Sequence, residues 1–100
     1  MVAVPITEYV RPNAEKRFRF MEVDPDLAAK IVKWDLKLSI EYIGSDYAGY
    51  IDWGKHINDD PHEDPDEFIF MAPAPELYEM MTRNITKIIE ELEDGRRQQT

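Results

Sequence analysis

The last quarter of the chain carries one apolar stripe that constrains most of what the rest can be. From Pro75 to about Glu93, Leu77, Met81, Ile85, Ile88 and Leu92 recur at 4, 4, 3 and 4 residues, and Tyr78, Met80 and Ile89 widen the stripe. Intervals of three and four place these side chains on one face of an α-helix. Glu76 and Glu79 lie where the helix dipole favours acids, Gly95 stands where a C-cap is needed, and residues 96–100 read as a frayed tail. A helix with one apolar face is stable mainly through what that face packs against. The other helical pattern in the chain is short, so a sheet must supply the surface.

That shorter helix begins at Asp24-Pro25-Asp26-Leu27. Asp24 can cap the first turn, Pro25 suits the first helical position, and Leu27, Ala28, Ile31 and Trp34 follow at helical spacing to about Asp35. The strands are read from alternation. Ile6–Val10 and Arg17–Val23 flank a turn at residues 11–16 and form a hairpin. In the second of these runs Phe18 and Phe20 share one face, Arg17 and Arg19 the other, so one face is core and one is wet. Leu36, Leu38, Ile40 and Tyr42 alternate with polar residues, Gly44-Ser45-Asp46 turns the chain, and Tyr47–Gly54 returns with Gly49, Ile51 and Trp53 on one face and Tyr50 and Asp52 on the other. Phe68–Met71 is a compact apolar run, expected to be a strand covered on both faces.

The expected fold is therefore α+β: an antiparallel sheet of about five strands, in the order ββαβββα, packed on two helices that share one face. Residues 1–95 form a single domain, and 96–100 the tail. A chain of 100 residues can bury one core of two layers but not two cores. With no cysteine, disulfides, thiolate nucleophiles and thiolate zinc sites are excluded. The longest apolar run, Phe68–Ala72, is far below the ~20 residues of a membrane helix. Pro5 and Glu8 stand where a signal peptide would be apolar, so a cytoplasmic protein is expected.

The net charge is −9, and it is uneven: residues 1–50 carry seven basic and eight acidic side chains, residues 51–100 five and thirteen. Asp59-Asp60-Pro61-His62-Glu63-Asp64-Pro65-Asp66-Glu67 holds six of these acids and no Lys or Arg, and reads as a solvated loop. A field of this sign opposes nucleic acid and anionic lipid and favours the basic surface of a protein partner.

The segments Ile-Thr-Glu-Tyr-Val-Arg-Pro-Asn, Asp-Leu-Ala-Ala-Lys-Ile, Leu-Lys-Leu-Ser-Ile-Glu-Tyr and Pro-Glu-Leu, taken in this order, resemble small uncharacterised phage and prophage proteins. Members of that group usually place Gly after the Pro-Asn or Pro-Asp of the first turn, where this chain has Ala14. The resemblance implies a mobile-element origin and expression in a bacterial host's cytoplasm. It carries no catalytic or binding residue across.

Several chemistries can be weighed residue by residue. His56 and His62, with Asp59, Asp60, Glu63 and Asp64 nearby, are weak candidates for a metal site. The two imidazoles stand six positions apart with Pro61 between them, which fits neither a helical His pair nor a calcium loop. Asp52 is the one acid set among aromatics, between Tyr50 and Trp53, and reads as the polar face of a strand rather than as a catalytic carboxyl. Ser39 lies on a wet face and Ser45 in a turn, so neither has a nucleophile's setting, and no glycine-rich phosphate loop exists. Lys16-Arg17-Phe18-Arg19-Phe20 interleaves bases with rings as single-strand binders do, but alternation sends the two to opposite faces. It is an ordinary amphipathic strand unless the sheet's aromatic face is open.

The expected function is that of a noncatalytic acidic protein-binding module without cofactor. Tyr47, Tyr50, Asp52, Asp59, Asp60, Glu63, Asp64, Asp66 and Glu67 are its candidate contact residues. One form is a phage protein that inhibits a host nucleic-acid-binding or defence protein. The alternatives are a small metal-dependent enzyme using His56 and His62, and a structural or assembly component that buries a sheet edge in an oligomer.

Overall fold

The computed structural model of the chain describes residues 1–10, 15–53 and 67–95. The elements are β1 (Val2–Val10), β2 (Glu15–Val23), α1 (Pro25–Lys33), β3 (Lys37–Ile43), β4 (Asp46–Asp52), β5 (Glu67–Pro73) and, after a single 3₁₀ turn at Ala74–Glu76, α2 (Leu77–Glu93). This is the expected α+β fold with both helices on one face of a five-stranded sheet. The turn at Ala14 and the tail at 96–100 lie outside the described residues.

Local chemistry sets the boundaries. The Asp24 carboxylate accepts the Asp26 N–H at 2.9 Å, and Pro25 opens α1 without an N–H to leave unbonded. Gly44 and Gly95 hold positive φ, at 69° and 80°, where a turn and a helix end require it. The Gly95 N–H donates to the Leu92 carbonyl at 3.1 Å.

The strands lie in the order β2-β1-β3-β4-β5. Each neighbouring pair is antiparallel except β1 and β3, which run parallel from Thr7↔Ser39 to Tyr9↔Glu41. The expectation of a wholly antiparallel sheet is corrected at this one seam, and the cause is the shortness of α1. β2 ends and β3 begins at the same end of β1. Nine helical residues rise about 13 Å, close to the roughly 10 Å that separates strands two positions apart. The helix therefore steps across β1 instead of running its length, and β3 enters parallel to β1.

One core fills the space between sheet and helices. Val4, Ile6, Met21, Val23, Leu38, Ile40, Ile51 and Phe70 rise from the sheet to meet Ala28 and Ile31 of α1 and Leu77, Met81, Ile85, Ile88, Ile89 and Leu92 of α2. Each large side chain so buried contributes about 1.5–3 kcal/mol. Lys30 and Glu93 join the two helices at 3.4 Å. Gly49 is the ladder partner of Phe70, and a Cβ at this glycine would collide with the Phe70 ring.

Two strands face otherwise than alternation alone suggested. On β2 the core residues are Met21 and Val23, with Arg19 on the same side, while Phe18 and Phe20 stand on the helix-free face, 70% and 64% exposed. On β5, Phe68, Phe70 and Ala72 turn inward, but Ile69 and Met71 are 55% and 50% exposed. The β5 strand is covered on one face, not two.

Candidate functional site

The helix-free face of the sheet is where the described residues concentrate exposed apolar and charged groups. Its central row runs Phe18, Thr7, Ser39, Tyr50 and Ile69 across the five strands, and the next runs Lys16, Tyr9, Glu41, Ala48 and Met71. Small and polar residues occupy the middle strands, so the face has two apolar ends.

At the β2 end are Phe18, Phe20 and Tyr9, with the Lys16 ammonium 5.8 Å from the Tyr9 ring centroid. At the β4–β5 end are Tyr50, Ile69 and Met71, and here the charge is acidic. The Tyr50 hydroxyl donates to the Glu41 carboxylate at 3.3 Å. Asp52 lies between Lys37 on β3 and Glu67 on β5 in the ladder. Like charges directly opposite one another destabilise a sheet, and Lys37 stands across from Asp52 on its other side. The Asp52 Oδ1 is buried with no hydrogen-bond partner among the described residues. Residues 54–66, which follow β4 and precede β5 in the sequence, carry five acids against Lys55 and lie outside the described residues.

Of the residues expected to form a contact surface, Tyr50, Asp52 and Glu67 share this face. Tyr47 does not: it lies on the helix side, its ring 5.2 Å from that of Tyr42. Asp59, Asp60, Glu63, Asp64 and Asp66 lie outside the described residues, as do the candidate metal ligands His56 and His62. Among the described residues no three His, Cys, Asp or Glu side chains converge as a metal site would require, and no helix is long and apolar enough to cross a membrane.

Tyr47 belongs to a second cluster, absent from the sequence reading. Glu8, on the core side of β1, is 8% exposed, and Arg19 of β2 reaches it from the adjacent ladder position. The Arg19 guanidinium donates to both carboxylate oxygens, Nε to Oε1 at 2.7 Å and Nη2 to Oε2 at 3.2 Å. It also donates to the Tyr47 hydroxyl at 3.1 Å and the Tyr78 hydroxyl at 3.4 Å. The Glu8 hydrogen bond, then that of Tyr78, holds the guanidinium's pKa well above its usual value despite partial desolvation. With its donors so engaged, this cluster ties β1, β2, β4 and α2 together rather than waiting for an anion.

Sequence reasoning weighed Phe18 and Phe20 as the apolar side of an amphipathic strand, whereas their rings lie on the open face, and it passed over the exposure of Ile69 and Met71. A signal existed for the last two. Gly49 needs a large inward neighbour to fill its place, and assigning Phe70 to that role sends Ile69 and Met71 outward. Comparison of the chain with protein-family models, with curated proteins and with solved structures yields no match in any of the three.

Proposed function

We propose that the protein is a noncatalytic binding module that docks the basic surface of a partner protein on the β4–β5 end of its open sheet face. The observation that carries this reading is the placement of Asp52 opposite Glu67 beside the exposed Ile69 and Met71. Two carboxylates in register repel each other across the ladder, whereas a cationic partner gains from both. Ile69, Met71 and Tyr50 supply the apolar and aromatic anchor that charge alone lacks. The resemblance to phage proteins suggests a class for the partner: a protein of the bacterial cytoplasm whose basic groove ordinarily holds phosphates, occupied here by carboxylates.

A photo-crosslinking residue substituted at Ile69 tests this against the same residue at Val32, which is exposed on α1 on the other side of the molecule. The expected result in expressing cells is an adduct with a basic protein from position 69, lost when Asp52→Asn and Glu67→Gln are combined and weakened by salt. Equal adducts from both positions, or adducts indifferent to the two neutralised acids, would refute it.

A further inference from the structure

The β2 strand is nine residues long, regular, and at the edge of the sheet, with no strand or helix covering its outer edge among the described residues. Edge strands of this length are usually interrupted, because their unpaired N–H and C=O groups are a template for another strand. Here the edge also carries two of the most exposed rings of the protein, Phe18 and Phe20. The face on which each β2 residue stands is fixed by its register with β1.

We infer that the occupant of this edge is a second copy of the chain, paired antiparallel through β2 about a two-fold axis at Arg19. Same-face pairing allows the axis at any residue, but axes at Phe18, Arg19 or Phe20, at the middle of β2, pair most of the strand with its copy. The sequence Glu15-Lys16-Arg17-Phe18-Arg19-Phe20-Met21-Glu22-Val23 separates these three. With the axis at Phe18, Arg17 faces Arg19 twice. With the axis at Phe20, the two Phe20 rings meet once at the axis, but Phe18 faces Glu22 twice and Lys16 has no β2 residue opposite. With the axis at Arg19, Phe18 faces Phe20 and Lys16 faces Glu22, each pair occurring twice on the helix-free side. These are the aromatic and opposite-charge combinations that stabilise cross-strand neighbours.

The helix side of the seam is also complementary. Arg17 of the second copy stands opposite Met21, beside a groove of about 780 Å³ whose wall carries Glu22, Asp24, Asp26 and Glu79 against Lys30 and Arg83. Glu79 is already paired to Arg83 at 2.8 Å, and the wall is acidic on balance. The two Arg19 side chains meet at the axis, but each is already neutralised by its own Glu8 at 2.7 Å. Charge favours this edge over any other for self-association. Residues 15–23 hold three bases and two acids in a chain of net charge −9, so two copies approaching here bring together their least negative strands. The product is a continuous ten-stranded sheet with the helices of both copies on one side. Its β4–β5 ends remain uncovered, so the pairing stands or falls separately from the docking proposed above.

Mass by light scattering, followed from micromolar to near-millimolar protein, reads the association directly. The expected mass rises from the monomer's 11.8 kDa toward twice that value. Lys16→Glu sets two like-charged pairs at the seam and is expected to raise the dimer Kd about tenfold or more. Combining Lys16→Glu with Glu22→Lys restores opposite charges in this register and no other, and is expected to return the Kd to its original range. Phe18→Thr with Phe20→Thr keeps strand-forming residues at exposed positions, and should give a monomer with an unchanged far-ultraviolet circular dichroism spectrum. A monomeric mass at every concentration, a dimer indifferent to Lys16→Glu, or a double reversal that fails to rescue association would each overturn the pairing.

Discussion

Arg19→Met offers the sharpest test of how the polar cluster under the sheet is held. The substitution deletes both donors to Glu8, at 2.7 and 3.2 Å, and leaves a carboxylate whose side chain is 11% exposed. Breaking a buried ion pair from one side costs about 3–5 kcal/mol, because the remaining charge keeps its desolvation and loses its partner. The Arg19 side chain is 34% exposed, so water reaches the vacated space and lowers the expected cost to about 3 kcal/mol. For a domain of 100 residues this is a fall in Tm of roughly 12–24 °C. Glu8→Leu should cost less, about 1–2 kcal/mol, since Arg19 retains two tyrosine hydroxyls and solvent. The double variant Glu8→Leu/Arg19→Met leaves no unpaired charge and should fall within about 1 kcal/mol of the parent. Urea unfolding followed by tryptophan fluorescence measures all four proteins. If the two single losses simply add in the double variant, the four groups do not act as a unit and the reasoning fails. The guanidinium's raised pKa places its contribution at full strength below the unfolded-state value. The contribution fades only as pH climbs through the still higher folded-state value, so no loss from Arg19 is expected anywhere in the ordinary alkaline range.

Three further outcomes are expected. Gly49→Ala drives a methyl group into the Phe70 ring and should cost about 1–3 kcal/mol by thermal unfolding, with Gly49→Ala/Phe70→Leu recovering part of the loss. Asp52→Asn relieves the like-charge ladder position and should raise stability by up to about 1 kcal/mol while weakening capture of a basic partner, a divergence read by pairing a melt with a binding assay. Asp24→Ala removes the cap on the Asp26 N–H and should cost about 1 kcal/mol by the same melt.

The elements were legible because each rests on local chemistry. The Asp24-Pro25 start, the alternation of Leu36–Tyr42 and the stripe from Leu77 to Leu92 all reappear with boundaries moved by a residue or two. Less legible was which set of alternating residues turns inward. On β2 apolarity alone favours Phe18 and Phe20, yet the inward places go to Met21, Val23 and Arg19. The choice is made by β1, where Val4, Ile6 and Glu8 share the core side and Glu8 requires a cation opposite or beside it. That is a property of a strand pair, not of either strand. The same limit explains the separation of Tyr47 from Tyr50. The two are three residues apart in one strand and so fall on opposite faces, although composition groups them. The parallel seam between β1 and β3 depends on the length of α1 against the spacing of strands, a comparison that needs the strand order first.

That strand order makes β1 the keystone of the sheet, with β2 on one side and β3 on the other. The hairpin of β1 and β2 closes a short loop and can form early. The parallel seam joins Thr7 to Ser39, and its loop of about thirty residues carries a larger closure entropy. During synthesis the hairpin must therefore wait, one flank open, until β3 has left the ribosome. The β3–β4 hairpin and the closing helix can assemble on a finished seam but have little to rest on without it. Mutations in Ile6 or Ile40, the wholly buried isoleucines of those two strands, should slow folding more than they speed unfolding.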